Sequence, residues 1–424
     1  MTPNALRALG AALFSLASLV AAQTTPPSPP PSAPLTLQQA VARALAANPT
    51  LASARQHVSA VEANKITAGL RQNPNLTLYG QGVTLPERPD QPDGNPFFYS
   101  ASVSRLFERG QKRRWRLDSA NATADSTQSL YRDQERQLSF AVRQAFTNML
   151  LAKASVAVAE ENLADYRKTV DLSKARLDAG DITPTDFDRI DLQLAQFESD
   201  ADNAHLALQQ ASTQLQLLFG VDHPSTNLDI AGTLEPPQIP LTQTEAENQA
   251  MASRSDYLAA RQALTAAEAN AKLAVAGGTA DPTLGSEYDR NGINNSFGLS
   301  LSVPLRVFDR NQGEKERTRY EVESSRSAVT AARNQVVSDV DQAWIALETA
   351  QHLARRYNSH YLDEAGHVRD NLQFSYRNGN STLLDYLSAL RDYRAIHLLS
   401  LTANAQVWLA IHQLSFATAT DILP

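Results

Sequence analysis

Two stretches of this chain, 112–178 and 314–377, run without a proline and are rich in Ala, Gln, Arg and Glu, residues that favour helix. Each would make a single helix roughly 100 Å long at about 1.5 Å per residue. A compact globular domain does not hold such an element; a long coiled-coil-like assembly does. In the first stretch Leu138, Val142, Ala145, Met149, Ala152 and Val156 mark an apolar stripe at helical spacing. In the second, Val336, Val340, Trp344, Leu347 and Gln351 continue a less regular one.

The two stretches belong to a tandem duplication. "ARQHVSAVEAN" (54–64) aligns with "ARQALTAAEAN" (260–270), and "FERGQ" (107–111) with "FDRNQ" (308–312). Gly180 aligns with Gly379 and Asp186 with Asp385, so the offsets are 206, 201 and 199 residues. The expected organisation is a first repeat over 35–219, an inter-repeat junction over 220–242, a second repeat over 243–418 and a tail, 419–424. The junction is rich in Pro and Gly and reads as a loop. Each repeat opens with an Ala-rich amphipathic stretch, Thr36 to about Arg71 and Thr242 to about Ala276. Two short strand-like segments follow, then the long helix, then a closing helix over about 184–219 or 383–417.

The turns between long and closing helices read "GDITPTDF" (180–187) and "GNSTLLDY" (379–386). Gly180 and Gly379 stand where a helix ends in the left-handed conformation. Thr183 with Asp186, and Thr382 with Asp385, have capping-box spacing. Pro184 falls at the first helical position, where its missing N–H costs nothing. Each octapeptide is therefore a tight turn between antiparallel helices, and capping suffices to explain both Asp residues.

The strand-like segments are 75–84, 98–107, 283–290 and 296–305, close to the length of a tilted membrane strand. Loops "LPERPDQPDGNP" and "NGINN" join each pair. Tyr79, Phe97, Phe98, Tyr99, Phe107, Tyr288, Phe297 and Phe308 lie near the strand ends, as in an aromatic girdle. Four strands cannot close a membrane barrel, because natural barrels start at about eight, and lipid tolerates no open sheet edge. If these strands span a membrane, several subunits must share one barrel.

Composition narrows the class further. With 38 basic and 45 acidic residues the chain is a poor nucleic-acid binder. It has no Cys, which excludes disulfides, thiolate chemistry and a Cys-linked lipid anchor. Residues 1–22 read as a secretory signal peptide: Arg7, an apolar run from Ala8 to Val20, then small residues before Gln23. Residues 23–34 are a Pro-rich tether. After the signal no apolar run is long enough for a transmembrane helix.

With the duplication, the paired strands and the Gly-x5-Asp turns in place, the chain resembles the TolC-like family of outer-membrane efflux proteins over nearly its whole mature length. "VPLRVFDRNQGEKERTR" (303–319) resembles the strand-to-helix junction of the heavy-metal cation efflux (CzcC-like) branch, with Phe308, Asp309, Arg310, Asn311, Gln312 and Gly313 matching the typical run. Those six residues read best as a chain turn into a helix, and so mark ancestry better than a metal site. The resemblance implies a mainly α fold with a small β part. Tandem-duplicated helical hairpins would form an α-barrel, and four strands per protomer would complete a trimeric twelve-stranded outer-membrane barrel. It further implies a homotrimer without enzymatic activity or cofactor, embedded in outer-membrane lipid. A periplasmic adaptor (membrane fusion) protein and an inner-membrane pump of the resistance-nodulation-division type would be its partners, with heavy-metal cations or drugs as cargo.

The resemblance also places both octapeptide turns at the periplasmic tip, with Gly180, Thr183, Pro184, Gly379, Ser381 and Thr382 in the docking turns. Asp385 matches an acidic position lining the closed aperture, Tyr376 a tip tyrosine, and Asp186 the first-repeat equivalent of Asp385. Carboxylates ringed about a symmetry axis repel one another and attract cations. Asp186 pairs with a basic residue of the second-repeat turn in well-known members; Ser381 stands at that position here. Asp188 and Asp191 read as a solvated face.

The sequence contains no H-E-x-x-H, Walker loop or G-x-S-x-G. His360 and His367 could share a helix face, though surface or packing roles explain them better. The acidic run 178–191 lacks calcium-loop spacing. A soluble periplasmic coiled-coil adaptor or scaffold is the competing reading. It would share the hairpins and need no lipid-facing strands.

Overall fold

The computed structural model describes residues 34–82, 97–225 and 228–422. The signal peptide (1–22), residues 23–33 of the tether and the outer loop 85–96 lie outside the described residues. Both repeats have the same element order. The first holds α1 (Leu37–Ala47), α2 (Pro49–Gly69), β1 (Asn75–Gln81), β2 (Phe98–Leu106), α3 (Lys112–Asp178) and α4 (Pro184–Leu218). The second holds α5 (Gln243–Ser253), α6 (Ser255–Gly277), β3 (Thr283–Asn291), β4 (Asn294–Ser302), α7 (Gln312–Arg356), α8 (Leu362–Arg377) and α9 (Leu383–Thr418). Among its described residues the junction 220–242 carries no helix; it is pinned by Leu35, whose N–H donates to Asp229 O and whose carbonyl accepts from Ala231 N.

Two expectations about helices need correction. Each Ala-rich opening stretch is two helices. Asn48 breaks the first: its Oδ1 caps Leu51 N at 3.1 Å, and Pro49 starts the next helix. Arg254 breaks the second; its side chain is 2% exposed and bonds Asp256 and Asp339. The second long helix is also interrupted, by a π turn over Tyr357–Tyr361. Its counterpart α3 runs 67 residues without a break. The π turn sits beside an amide and hydroxyl cluster in which Ser400 Oγ donates to Asn358 Oδ1 and Asn358 Nδ2 to Asn404 Oδ1.

Among the described residues the buried side chains fall into separate clusters along the helices. In the first repeat Ala40 and Ala44 of α1 pack with Val142, Phe146 and Met149 of α3 and with Leu215 and Phe219. In the second, Ala246 and Ala250 of α5 pack with Val336, Val340 and Leu347 of α7 and with Val407, Ile411 and Leu414 of α9. The buried stripe of α7 runs through Ala343, Ala350 and Ala354; Trp344 and Gln351 are only half-buried. Small residues at these positions let long helices approach closely, and packing of such faces supplies most of a helix's stability in a protein.

The strands form one antiparallel sheet in the order β1-β2-β3-β4, so the two repeats meet at β2 and β3. The hairpin between β3 and β4 is tighter than expected. Asn291 pairs with Asn294 across Gly292 (φ +60°) and Ile293, and β4 spans 294–302 instead of 296–305. Pro304, which lacks an N–H, lies beyond its end. Paired residues share a face. One face carries the rows Leu76–Val103–Ser286–Leu299 and Leu78–Ala101–Tyr288–Phe297. The other carries Thr77–Ser102–Glu287–Gly298 and Tyr79–Ser100–Asp289–Ser296. Tyr79 and Phe98 therefore stand on the polar face, outside any girdle on the apolar one. Strand order is continued by the helices joined to the sheet: α2 packs on α3, α3 on α6 and α6 on α7.

Candidate functional site

Two regions carry the chemistry: the sheet with its helical rim, and the far tip of the hairpins. At the tip both octapeptides fold as the spacing requires. Gly180 has φ +82° and Gly379 φ +74°. Gly180 N donates to Leu177 O and Asp181 N to Arg176 O; Gly379 N donates to Tyr376 O and Asn380 N to Ser375 O. Both are paired bonds of the Schellman type. Thr382 and Asp385 form a complete capping box: Asp385 N donates to Thr382 Oγ1 at 3.2 Å and Thr382 N to Asp385 Oδ2 at 3.3 Å. In the first repeat Asp186 N donates to Thr183 Oγ1 at 3.2 Å and Thr183 Oγ1 to Asp186 Oδ2 at 2.8 Å. The reciprocal backbone bond is absent there among the described residues, so Thr183 caps without a full box. Pro184 takes the first helical position.

The capping aspartates remain within reach of solvent, Asp385 exposed and Asp186 half-buried. Ser381 is half-buried and its Oγ donates to Leu372 O at 3.4 Å, so no basic group reaches Asp186 from that position. Asp188 and Asp191 are exposed. Tyr376 is 8% exposed, inside a tip cluster with Tyr166, Ile190, Phe197, Tyr386 and Leu390. Tyr166 OH donates to Ile190 O at 2.9 Å, and burial, with Tyr386 and Tyr376 nearby, pushes its phenol pKa up. Sequence reasoning missed Tyr166 and Arg176. The aromatic after each octapeptide Asp was visible, but its partners lie on helices remote in sequence.

The six-residue run at the sheet-to-helix junction is a self-bonded turn. Asn311 N donates to Asp309 Oδ1, Arg310 N to Gln312 Oε1 and Gln312 Nε2 to Phe308 O. Asn311 takes φ +63° and its Nδ2 donates to Ala274 O at 2.7 Å, tying the turn to α6. Phe308 is 91% exposed, and a side chain at Gly313 would meet nothing. In the first repeat Gln111 takes φ +60°, and Lys112 Nζ bonds Asp281 Oδ2 at 2.6 Å and Thr279 O at 2.7 Å.

Among the described residues no group of three or more His, Asp or Glu side chains is placed to hold a metal ion. His360 Nε2 lies 3.2 Å from Glu364. No described helix is long and apolar enough to cross a membrane. The apolar surface is on the sheet instead: Leu76, Leu78, Phe297, Leu299 and Leu301 are each at least 66% exposed.

Known proteins share this arrangement. The family model described as "Outer membrane efflux protein" matches residues 40–221 and again 246–420, one match for each repeat. The cobalt-zinc-cadmium resistance protein CzcC of Cupriavidus metallidurans is 24% identical over 365 residues, 84% of each chain. The outer membrane efflux protein BepC of Brucella suis is 23% identical over 403 residues, 90% of this chain and 85% of its own. Among solved structures, the open state of the MtrE outer membrane channel of Neisseria gonorrhoeae superposes with a TM-score of 0.75 at 17% identity, covering 91% of this chain and 89% of that one.

Proposed function

The chain belongs to the outer membrane efflux protein family, and from that membership we propose that it is the exit duct of a tripartite efflux system. Three copies share one barrel in the outer membrane, each giving its four strands, and their helices continue as a hollow cylinder through the periplasm. A periplasmic adaptor docks at the tip turns. An inner-membrane pump of the resistance-nodulation-division type supplies energy and cargo, so this chain acts as a passive conduit.

One observation carries the reading. Among the described residues the sheet has one exposed apolar face and two edges, β1 and β4, with no strand beside them. Lipid accepts the face and rejects the edges, and joining β4 of one copy to β1 of the next removes every edge. A soluble periplasmic scaffold would leave Leu76, Phe297 and Leu299 uncovered in water. The name of CzcC favours heavy-metal cations as cargo; the tip aspartates Asp385 and Asp186 favour cations by charge, with Tyr376 packing beneath them.

The test joins two measurements. The purified mature chain should form discrete conducting pores in a planar bilayer. A strain lacking the chain should become sensitive to Co, Zn and Cd salts, or to dyes, detergents and antibiotics, and recover with the wild-type chain. Absence of conductance together with unchanged sensitivity would remove the duct reading. Drug sensitivity alone would keep the duct and discard the metal cargo.

A further inference from the structure

The rim below the first-repeat strands contains a groove of about 370 Å³, where the chain leaves α2 for β1 and returns from β2 into α3. Arg71, Arg105, Phe107, Glu108, Lys112 and Arg113 line it. Two of its charges are spent. Lys112 is bound to Asp281, and Glu108 holds Arg116 at 2.8 Å. Arg71, Arg105 and Arg113 have no carboxylate partner among the described residues. The groove thus keeps three uncompensated guanidinium groups.

Its position says which anion can reach it. Arg105 pairs in register with Leu284, which pairs with Leu301. It therefore stands on the apolar face, one row beyond Leu76, Val103 and Leu299, at the end nearest the helices. Its guanidinium lies 5.4 Å over the Phe107 ring, which is 42% exposed. An arginine and an aromatic at the edge of an apolar band occupy the level of lipid headgroups. Guanidinium forks match phosphate oxygens. The equivalent place in the second repeat carries a different charge pattern: Arg306 faces Asp309 at 3.9 Å, and Glu314 lies in the first turn of α7.

We propose that this groove binds the phosphodiester headgroup of an anionic phospholipid in the periplasmic leaflet, with Arg71, Arg105 and Arg113 as its ligands. The inference rests on the reading above that the sheet lies in the outer membrane with α3 running into the periplasm. Each copy in the ring would hold one lipid and so fix the depth of the barrel relative to the leaflet.

The test is native mass spectrometry of the full-length protein in detergent, titrated with phosphatidylglycerol, phosphatidylcholine or inorganic phosphate. Bilayer conductance is recorded on the same samples. The wild type should retain phosphatidylglycerol in preference to phosphatidylcholine, and inorganic phosphate should not compete at equal concentration. The combined variant Arg71→Gln, Arg105→Gln, Arg113→Gln should bind it more weakly by roughly tenfold or more. Arg290→Gln, which removes a charge at the other end of the same face, should bind as wild type does. Equal affinity in the wild type and the combined variant, or an equal loss in Arg290→Gln, would overturn the site while conductance keeps the channel. Competition by inorganic phosphate would reassign the groove to free anions. A wild type that never conducts would overturn the membrane reading and the lipid site with it.

Discussion

Tyr376 and Tyr386 stack with ring centroids 5.5 Å apart and planes 6° from parallel, although they sit on opposite arms of the second-repeat hairpin. The Arg176 guanidinium, from the last turn of α3, lies 5.5 Å over the Tyr376 ring. Tyr386 OH lies 3.3 Å from Thr169 Oγ1, also on α3. The stack therefore holds the two hairpins together where the chain is furthest from the sheet. Arg176 Nη1 is buried without a hydrogen-bond partner, but Arg394 of α9 pairs with Asp200 of α4 at 2.6 Å, so the first repeat is held here by ring contacts, packing and a few polar ties together.

Replacing Tyr386 by Ala should loosen the tip and leave the rest folded. A buried aromatic truncation costs about 3–5 kcal/mol, part of it for the cavity left behind. Amide exchange should quicken over 166–197 and 370–392, with little change around Val142 and Val340, whose clusters lie higher on the helices. In the proposed duct the same variant should pass more current. Unaltered exchange at the tip would show that the stack is not what joins the hairpins.

Asp385 serves two purposes in this reading, and two substitutions separate them. Asp385→Ala removes a cap and should cost about 1 kcal/mol; assembly survives and the isolated channel conducts more. Asp385→Asn keeps an oxygen for the Thr382 hydroxyl, now bonded at 2.6 Å, and removes only the charge. It should fold as wild type does and favour cations over anions less strongly. Both variants conducting like wild type would leave Asp385 as a helix cap alone.

His412 should make the folded chain acid-sensitive. It is 2% exposed, with Nε2 3.1 Å from Thr147 Oγ1 and Nδ1 unpartnered. Burial, with Arg143 adding and Asp421 opposing, pushes its pKa down to about 4. The unfolded chain takes the proton near pH 6.5, so acidification favours unfolding first. Stability should be level above about pH 6.5 and fall by about 1.4 kcal/mol per pH unit toward pH 4. His412→Gln should flatten that slope in thermal unfolding followed by the helical signal; an identical pH profile in the variant would acquit this side chain.

Much of this was legible in the sequence, and the exceptions share a cause. The boundaries of α3, α4 and α9 follow from glycines, caps and the absence of proline, all of them local signals. Asn48-Pro49 is also a local signal, a cap followed by a helix-starting proline, but the long apolar period around it hides the break. The break at Arg254 offered no such sign, because it depends on Asp339, which is remote in sequence. The same holds for the β2–β3 pairing and the Tyr376–Tyr386 stack. Alternation along each strand was visible, but which residues share a face across strands depends on register. Register placed Tyr79 and Phe98 with the serines.

That register gives the most discriminating prediction. Gly298 and Leu299 are adjacent on β4 and belong to opposite faces. Leu299 is 83% exposed in the row with Leu76 and Val103, the face assigned to lipid. Gly298 pairs with Glu287 on the face assigned to the lumen, and a Cβ there meets nothing within 4 Å. Leu299→Arg would set a charge on the lipid face one row inside the headgroup level; it should cost less than the about 2–4 kcal/mol per copy of a midplane charge and weaken assembly in lipid. Gly298→Arg should assemble normally, set a cation beside Glu287 and lower the preference for cations in bilayer recordings. A one-residue slip of β4 exchanges the two faces and would therefore exchange the two phenotypes. Equal assembly of both variants would mean that neither face meets lipid.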